Sequence, residues 1–197
     1  MKQLVLTIVC KLNPSPEQKS KIDATLKAFA DACNYINEVV APKITNNVRI
    51  QTLVYDDVRT KFGLSANLAI RAINRVAGNR KTAKKDNKPV QSFKPTSADY
   101  DARIFAFREK DWTASLTLVG GRERFELQVG NYQIGKLKGQ KPTSATLAKR
   151  RNGTYTLNIQ VKSDVPMAKA TDKMLGCDLG RSDIAIAVRE IIGRENK

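Results

Sequence analysis

Along residues 2 to 12 the hydrophobic positions alternate. Leu4, Leu6, Ile8, Cys10 and Leu12 fall on one face, and Val5, Thr7, Val9 and Lys11 on the other, which predicts a strand with at least one buried side. The period then changes. Ser15-Pro16-Glu17-Gln18 has the form of a capping box with proline at the first helical position, and Ile22, Leu26, Phe29, Cys33, Ile36 and Val40 follow at three- and four-residue spacing until Ala41-Pro42. A second helix is predicted over Ile50–Phe62 with Leu53, Val54 and Val58 inward. A third starts at Ser65 and turns Leu68, Ala69, Ala72, Ile73 and Val76 inward, completing a small helical bundle.

From about Ala102 the period returns to two. Ile104 and Phe105 open a strand before the Arg108-Glu109-Lys110-Asp111 turn, and Leu116–Val119 faces Phe125–Val129 across Gly120-Gly121 as a hairpin. A second hairpin runs from Thr146–Arg150 through Asn152-Gly153 to the alternating Tyr155, Leu157, Ile159 and Val161. Short antiparallel strands at this spacing predict an α+β fold: a small antiparallel barrel, closed by the strand at residues 2 to 12, with the helical bundle inserted in it.

Charge sharpens this picture. Thirty-five Lys and Arg against nineteen Asp and Glu give +16, an excess that points to a polyanionic partner, nucleic acid first. A basic protein without a specific ligand and an anionic membrane surface are the competing readings, the latter weakened by the lack of a basic amphipathic helix. The outward face of the third helix and its extension carries Arg71, Arg75, Arg80, Lys81, Lys84, Lys85 and Lys88, opposed only by Asp86. This predicts salt-sensitive phosphate contact; the bland reading is a solvated helix end running into a linker. Lys136, Lys138 and Lys141 lie between the hairpins, Lys149, Arg150 and Arg151 crowd the second turn, and no acid stands between Gln128 and Lys162. Basic loops with few exposed aromatics fit recognition by backbone and shape; Tyr132 and Tyr155 are expected in the core more than as stacking platforms.

Other chemistry is narrowed by what the chain lacks. With no histidine, His-based acid–base catalysis, Ser-His-Asp triads and His-ligated zinc are excluded. The three cysteines, Cys10, Cys33 and Cys177, are widely separated in apolar patterns and read as buried thiols. No run of apolar residues is long enough for a membrane span and the start of the chain alternates like a strand, so the expectation is a cytoplasmic, nucleic-acid-associated protein.

One acid stands out. Within Met174–Val188, Asp178 interrupts an apolar strand, Leu175–Gly180, with Arg181-Ser182-Asp183 as its turn and Ile184–Val188 as the returning partner. A carboxylate there is paired, solvated at a strand end, or bound to a cation. An RNase H-like fold opens in this way, and so do actin-like ATPases; a plain strand-end aspartate is the third reading.

The order of these elements carries a resemblance. The strand is followed by Asn13-Pro14-Ser15-Pro16-Glu17-Gln18-Lys19 and its helix with Cys33-Asn34-Tyr35-Ile36-Asn37. Leu64-Ser65-Ala66-Asn67-Leu68-Ala69-Ile70-Arg71-Ala72-Ile73, the basic hairpins and Gly176-Cys177-Asp178-Leu179-Gly180 come after. Together they resemble the amino-terminal half of TnpB proteins, transposon-encoded RNA-guided nucleases related to small type V CRISPR effectors. The resemblance implies a wedge barrel, OB-like, over 1–12 and 96–166, a helical recognition domain over 13–95, and the start of a prokaryotic RuvC nuclease domain over 173–197. It makes Asp178 the first catalytic, metal-binding aspartate, with Mg2+ as the divalent cation of the complete nuclease. Guide RNA and target DNA become the partners, Asn67 and Arg71 the candidates to read an adjacent duplex motif, and Lys84, Lys85 and Lys149-Arg150-Arg151 the backbone clamps. The further carboxylates of such a site come from later segments, and Glu190 and Glu195 follow too closely to supply them. The chain alone is therefore expected to bind without cutting and to hold no cation tightly. A non-nuclease RNA- or DNA-binding regulator and a general RNA-binding protein are the alternatives.

Overall fold

The computed structural model describes residues 3–164, 173–178 and 186–191. Strand β1, Gln3–Leu12, buries Ile8, Cys10 and Leu12 and leaves Val5 and Val9 exposed, the alternation expected of a half-covered strand, but Leu4, expected on the buried face, is exposed too, near the strand's start. Helix α1, Pro16–Val39, begins with the capping box read from the sequence: the Ser15 hydroxyl accepts from the Gln18 backbone N–H and Gln18 Oε1 accepts from the Ser15 N–H. Helix α2, Asn47–Phe62, is capped by Asn46 and ended by Gly63 at φ 62°. Helix α3, Ala66–Lys85, is capped by Ser65. Ile50, Val54 and Val58 face inward on α2, whereas Leu53 stands 54% exposed, correcting its expected inward position: it lies off the i, i+4 line of the other three.

Seven strands form one sheet in the order β2-β6-β7-β1-β5-β4-β3, with β2 at Ser97–Asp101, β3 at Phe105–Arg108, β4 at Thr113–Leu118, β5 at Gly121–Gln128, β6 at Ser144–Lys149 and β7 at Tyr155–Asp164. The two edge strands, β2 and β3, are consecutive in the chain and separated only by residues 102–104. A sheet whose edges are tied so closely must curl round, and the result is a nearly closed barrel. The registers of β1 with β5, β2 with β6, β3 with β4, β4 with β5 and β6 with β7 are all antiparallel. Leu118 pairs with Gly121, so the tight turn is Val119-Gly120 and not Gly120-Gly121; Gly120, at φ 90°, takes a backbone conformation closed to most side chains. Helix α4, Asn131–Leu137, and the strand β2 are elements the hydrophobic pattern did not announce.

All three long helices enter the chain between β1 and β2, so the bundle is an insertion in the barrel's sequence. Barrel and bundle share one hydrophobic core: Phe29, Ile36 and Ile73 of the bundle belong to the same buried cluster as Tyr100, Leu116, Phe125 and Leu157 of the strands. Polar side chains stitch the two together. Thr25 Oγ1 donates to the Lys21 carbonyl and accepts from the Val119 N–H at 2.9 Å, fixing the β4–β5 turn on α1. Both edges of the Asn34 amide bond the Phe93 backbone, at 2.9 and 2.7 Å, holding the segment before β2 against α1.

Cys10 and Cys33 are buried and reduced, as expected, and burial pushes their thiols up from an ordinary 9.0 to about 11 and about 12. A raised thiol pKa in the folded state gives stability that is complete below the ordinary value and lost as pH climbs through the folded one. Iodoacetamide at pH 8 is expected to spare both until the protein is unfolded; rapid modification of either in the native state would contradict their burial.

A second unit contains the hairpin of β8, Lys173–Asp178, and β9, Ile186–Ile191, antiparallel with Asp178 opposite Ile186. Antiparallel pairing of these two strands agrees with the pairing expected from the sequence, while the expected turn and the start of the returning strand at Ile184 lie outside the described residues. Asp178 is the last described residue of β8; Arg181-Ser182-Asp183 and Glu195 lie outside the described residues.

Candidate nucleic-acid interface

The cations of the unit spanning Gln3–Ser163 divide into those used by the protein and those left over. Arg80, expected on the outward face of α3, points inward instead and is 2% exposed. Its Nε donates to Asn37 Oδ1 at 3.1 Å, Nη1 to the carbonyls of Ala41 and Ile44 at 3.0 Å each, and Nη2 to that of Val40 at 2.8 Å. The guanidinium therefore closes the C-terminal end of α1, where unpaired carbonyls and the helix dipole both favour a positive charge. Desolvation lowers its pKa, yet six acceptors around five N–H donors keep the charge compensated.

Arg75 is likewise turned to the fold. It forms a salt bridge with Asp99 at 2.6 Å, donates to the Ser97 carbonyl at 2.8 Å and lies 4.8 Å from the Phe29 ring centre, binding α3 and α1 to β2. Lys149 reaches Asp23 of α1 at 2.8 Å, and the Tyr155 hydroxyl donates to the same carboxylate at 2.9 Å. The Asp23 hydrogen bond holds the Lys149 ammonium above its usual range. Tyr155 is buried as expected; Tyr132, expected in the core, is 64% exposed on α4. The sequence could not distinguish the two, because α4, at 7 residues, is too short to show which face it buries.

The remaining candidates are free. Lys81, Lys84 and Lys85 on the last turns of α3, together with Lys88, are exposed and make no ion pair or side-chain hydrogen bond among the described residues. The same holds for Lys136, Lys138, Lys141, Arg150 and Arg151. Asn67 and Arg71 sit one turn apart at the start of α3. Asn67 Oδ1 accepts from Arg103 Nη1 at 3.4 Å, and Arg71 Nε is a buried donor without a partner among the described residues. Arg122 Nη1 reaches the Arg103 carbonyl at 3.4 Å, so Asn67, Arg103 and Arg122 meet there.

Beside the β6–β7 turn lies an open groove of about 970 Å³. Val9 and Lys11 of β1, Thr156 of β7 and Thr154 just before it line it along the strands, Gln128 and Gln133 on one side, and Arg150, Arg151 and Asn152 at the turn. Gln133 Nε2 donates to the Val9 carbonyl at 3.3 Å, which seats α4 beside β1. Lys11, Gln128 and Thr156 escaped the sequence reading. The alternation of Lys11 on β1 and Thr156 on β7 was visible, but the adjacency of these two strands more than 140 residues apart is a long-range pairing that no local pattern reveals.

Among the described residues no group of three or more Cys, Asp or Glu side chains is placed to hold a metal ion. Nor, among them, is any helix long and apolar enough to cross a membrane. No protein-family model matches the sequence, and comparison with curated proteins finds no match to it.

Proposed function

We propose that this chain is the nucleic-acid-binding portion of an RNA-guided DNA endonuclease of the TnpB kind, holding guide RNA and target DNA while cleavage depends on further carboxylates joining Asp178 around Mg2+. The observation that carries the binding part is the sorting of cations. The fold spends Arg75, Arg80 and Lys149 on its own acceptors yet leaves nine of the other candidate cations exposed and, among the described residues, unpaired, five of them in the acid-free stretch from Val129 to Lys162. Self-repulsion makes such an array costly unless phosphates neutralise it.

Two contact types follow. Lys84, Lys85, Lys136, Lys138, Arg150 and Arg151 grip the sugar–phosphate backbone, where point charges on exposed stems suffice. Asn67 and Arg71, beside Arg103, have the amide and guanidinium groups that pair with base edges, and the unspent Arg71 Nε suits an added acceptor. The exposed Tyr132 offers a ring for stacking a base. Support for the guided reading is the element order: strand, inserted capped bundle, basic hairpins, then a hairpin ending its first strand at Asp178.

The test is to express the chain with its native flanking locus, purify it at moderately high salt and sequence the RNA that stays bound. One RNA species mapping beside the gene is the expected result. A ribosomal or random mixture that salt removes would overturn the guided reading in favour of general RNA binding.

A further inference from the structure

We infer that the groove between β1 and β7 takes the backbone of a single RNA strand, and that Thr156 is the residue through which it distinguishes RNA from DNA. The inference rests on the nucleic-acid-binding reading above and assigns that binding a place and a ligand class. Thr156 is the most deeply buried residue of the groove, at 4% exposure, and its Oγ1 has no hydrogen-bond partner among the described residues. A buried hydroxyl left unpaired is costly, and so uncommon that a missing partner is the natural explanation. Rotation about χ1 turns that hydroxyl into the groove beside it.

The surroundings say what the partner is. Arg150 and Arg151 stand at the groove's turn and Lys11 on β1, all exposed and, among the described residues, free of ion pairs, so an anion is compensated there. Two positions along β7 on the same face, Asn158 Oδ1 is a second buried atom without a partner, and it can only accept. Phosphate oxygens also only accept, so a DNA backbone satisfies the arginines and leaves that acceptor bare. A ribose 2′-hydroxyl both donates and accepts, and so can serve Thr156 and, one sugar along, Asn158. The groove is open at the surface, with Val9 as its one apolar lining residue, which suits a continuous strand better than an enclosed small molecule.

The experiment measures binding of the full chain to an oligouridylate and to the matching oligodeoxyuridylate, each about 16 nucleotides long. The wild-type chain is expected to bind the ribose strand more tightly. Thr156→Val, which keeps the shape and removes the hydroxyl, should lower RNA affinity about fivefold to tenfold and leave DNA affinity unchanged, while Thr156→Ser retains the preference. Arg150→Gln with Arg151→Gln should weaken both strands and lower the salt slope by about 1.4. A wild-type chain indifferent to the sugar, a Thr156→Val chain that keeps its preference, or an arginine pair without effect each overturns the inference. Those results leave the proposed function standing if a defined RNA still co-purifies; loss of that RNA with intact oligouridylate discrimination would remove the guided reading alone.

Discussion

Replacing Arg80 by methionine is expected to lower the unfolding free energy by about 3 to 5 kcal/mol, the scale on which buried charged hydrogen-bond centres fail when one side is deleted. The methionine stem fills much of the volume of the arginine stem, so packing changes little. What is lost is the set of donors to Val40, Ala41 and Ile44, whose carbonyls close α1 and the turn after it. The Val40 and Ile44 carbonyls would lose this donor or have to open to water, that of Ala41 would keep only the Ile44 N–H, and the Asn37 side chain would lose the Nε contact as well. Arg80→Lys should fall in between, because one ammonium cannot span acceptors that the planar fork reaches from two sides. The measurement is urea unfolding: the midpoint should fall with the slope unchanged. Wild-type stability in Arg80→Met would mean that the end of α1 is closed by something other than this guanidinium.

Arg80 also marks where sequence reasoning stops. Its position in a run of Arg and Lys on α3 looks the same as that of Lys81 or Lys84, and charge alone assigns all of them to solvent. The distinction lies in the carbonyls at the end of α1 and in the turn after it, which converge on the Arg80 guanidinium, a tertiary fact. Local signals fared differently. The Ser15–Gln18 capping box, the Asn152-Gly153 turn and the inward positions of α3 were legible because each is decided within one or two turns of chain. Strand β2 was not, since Ser97-Ala98-Asp99-Tyr100-Asp101 carries two acids that only make sense once Asp99 meets Arg75 and Thr146. The groove was illegible for a related reason: its cations sit in a turn that could be read, but its Thr156 hydroxyl becomes remarkable only when burial is known. Asp178 gave up its backbone place, at the end of a paired strand, and its chemistry still depends on what joins it.

Replacing Lys81, Lys84, Lys85 and Lys88 together by glutamine is expected to have the largest effect on binding. If each meets one phosphate, the dependence of log affinity on log salt should become shallower by about 3 to 3.6, or a few hundredfold to a thousandfold in affinity near physiological salt. Stability should hardly move, because exposed lysines without partners contribute little to folding and relief of their mutual repulsion acts the other way. Arg80→Met gives the opposite pattern, with stability reduced and the salt slope of the folded protein unchanged. Measuring unfolding and salt-dependent binding on the same two variants therefore separates cations that build the fold from cations that meet a ligand. Should the four lysines prove as indifferent in binding as in folding, the last turns of α3 would be a solvated helix end, and the contact would have to lie with the acid-free hairpin face from Lys136 to Arg151.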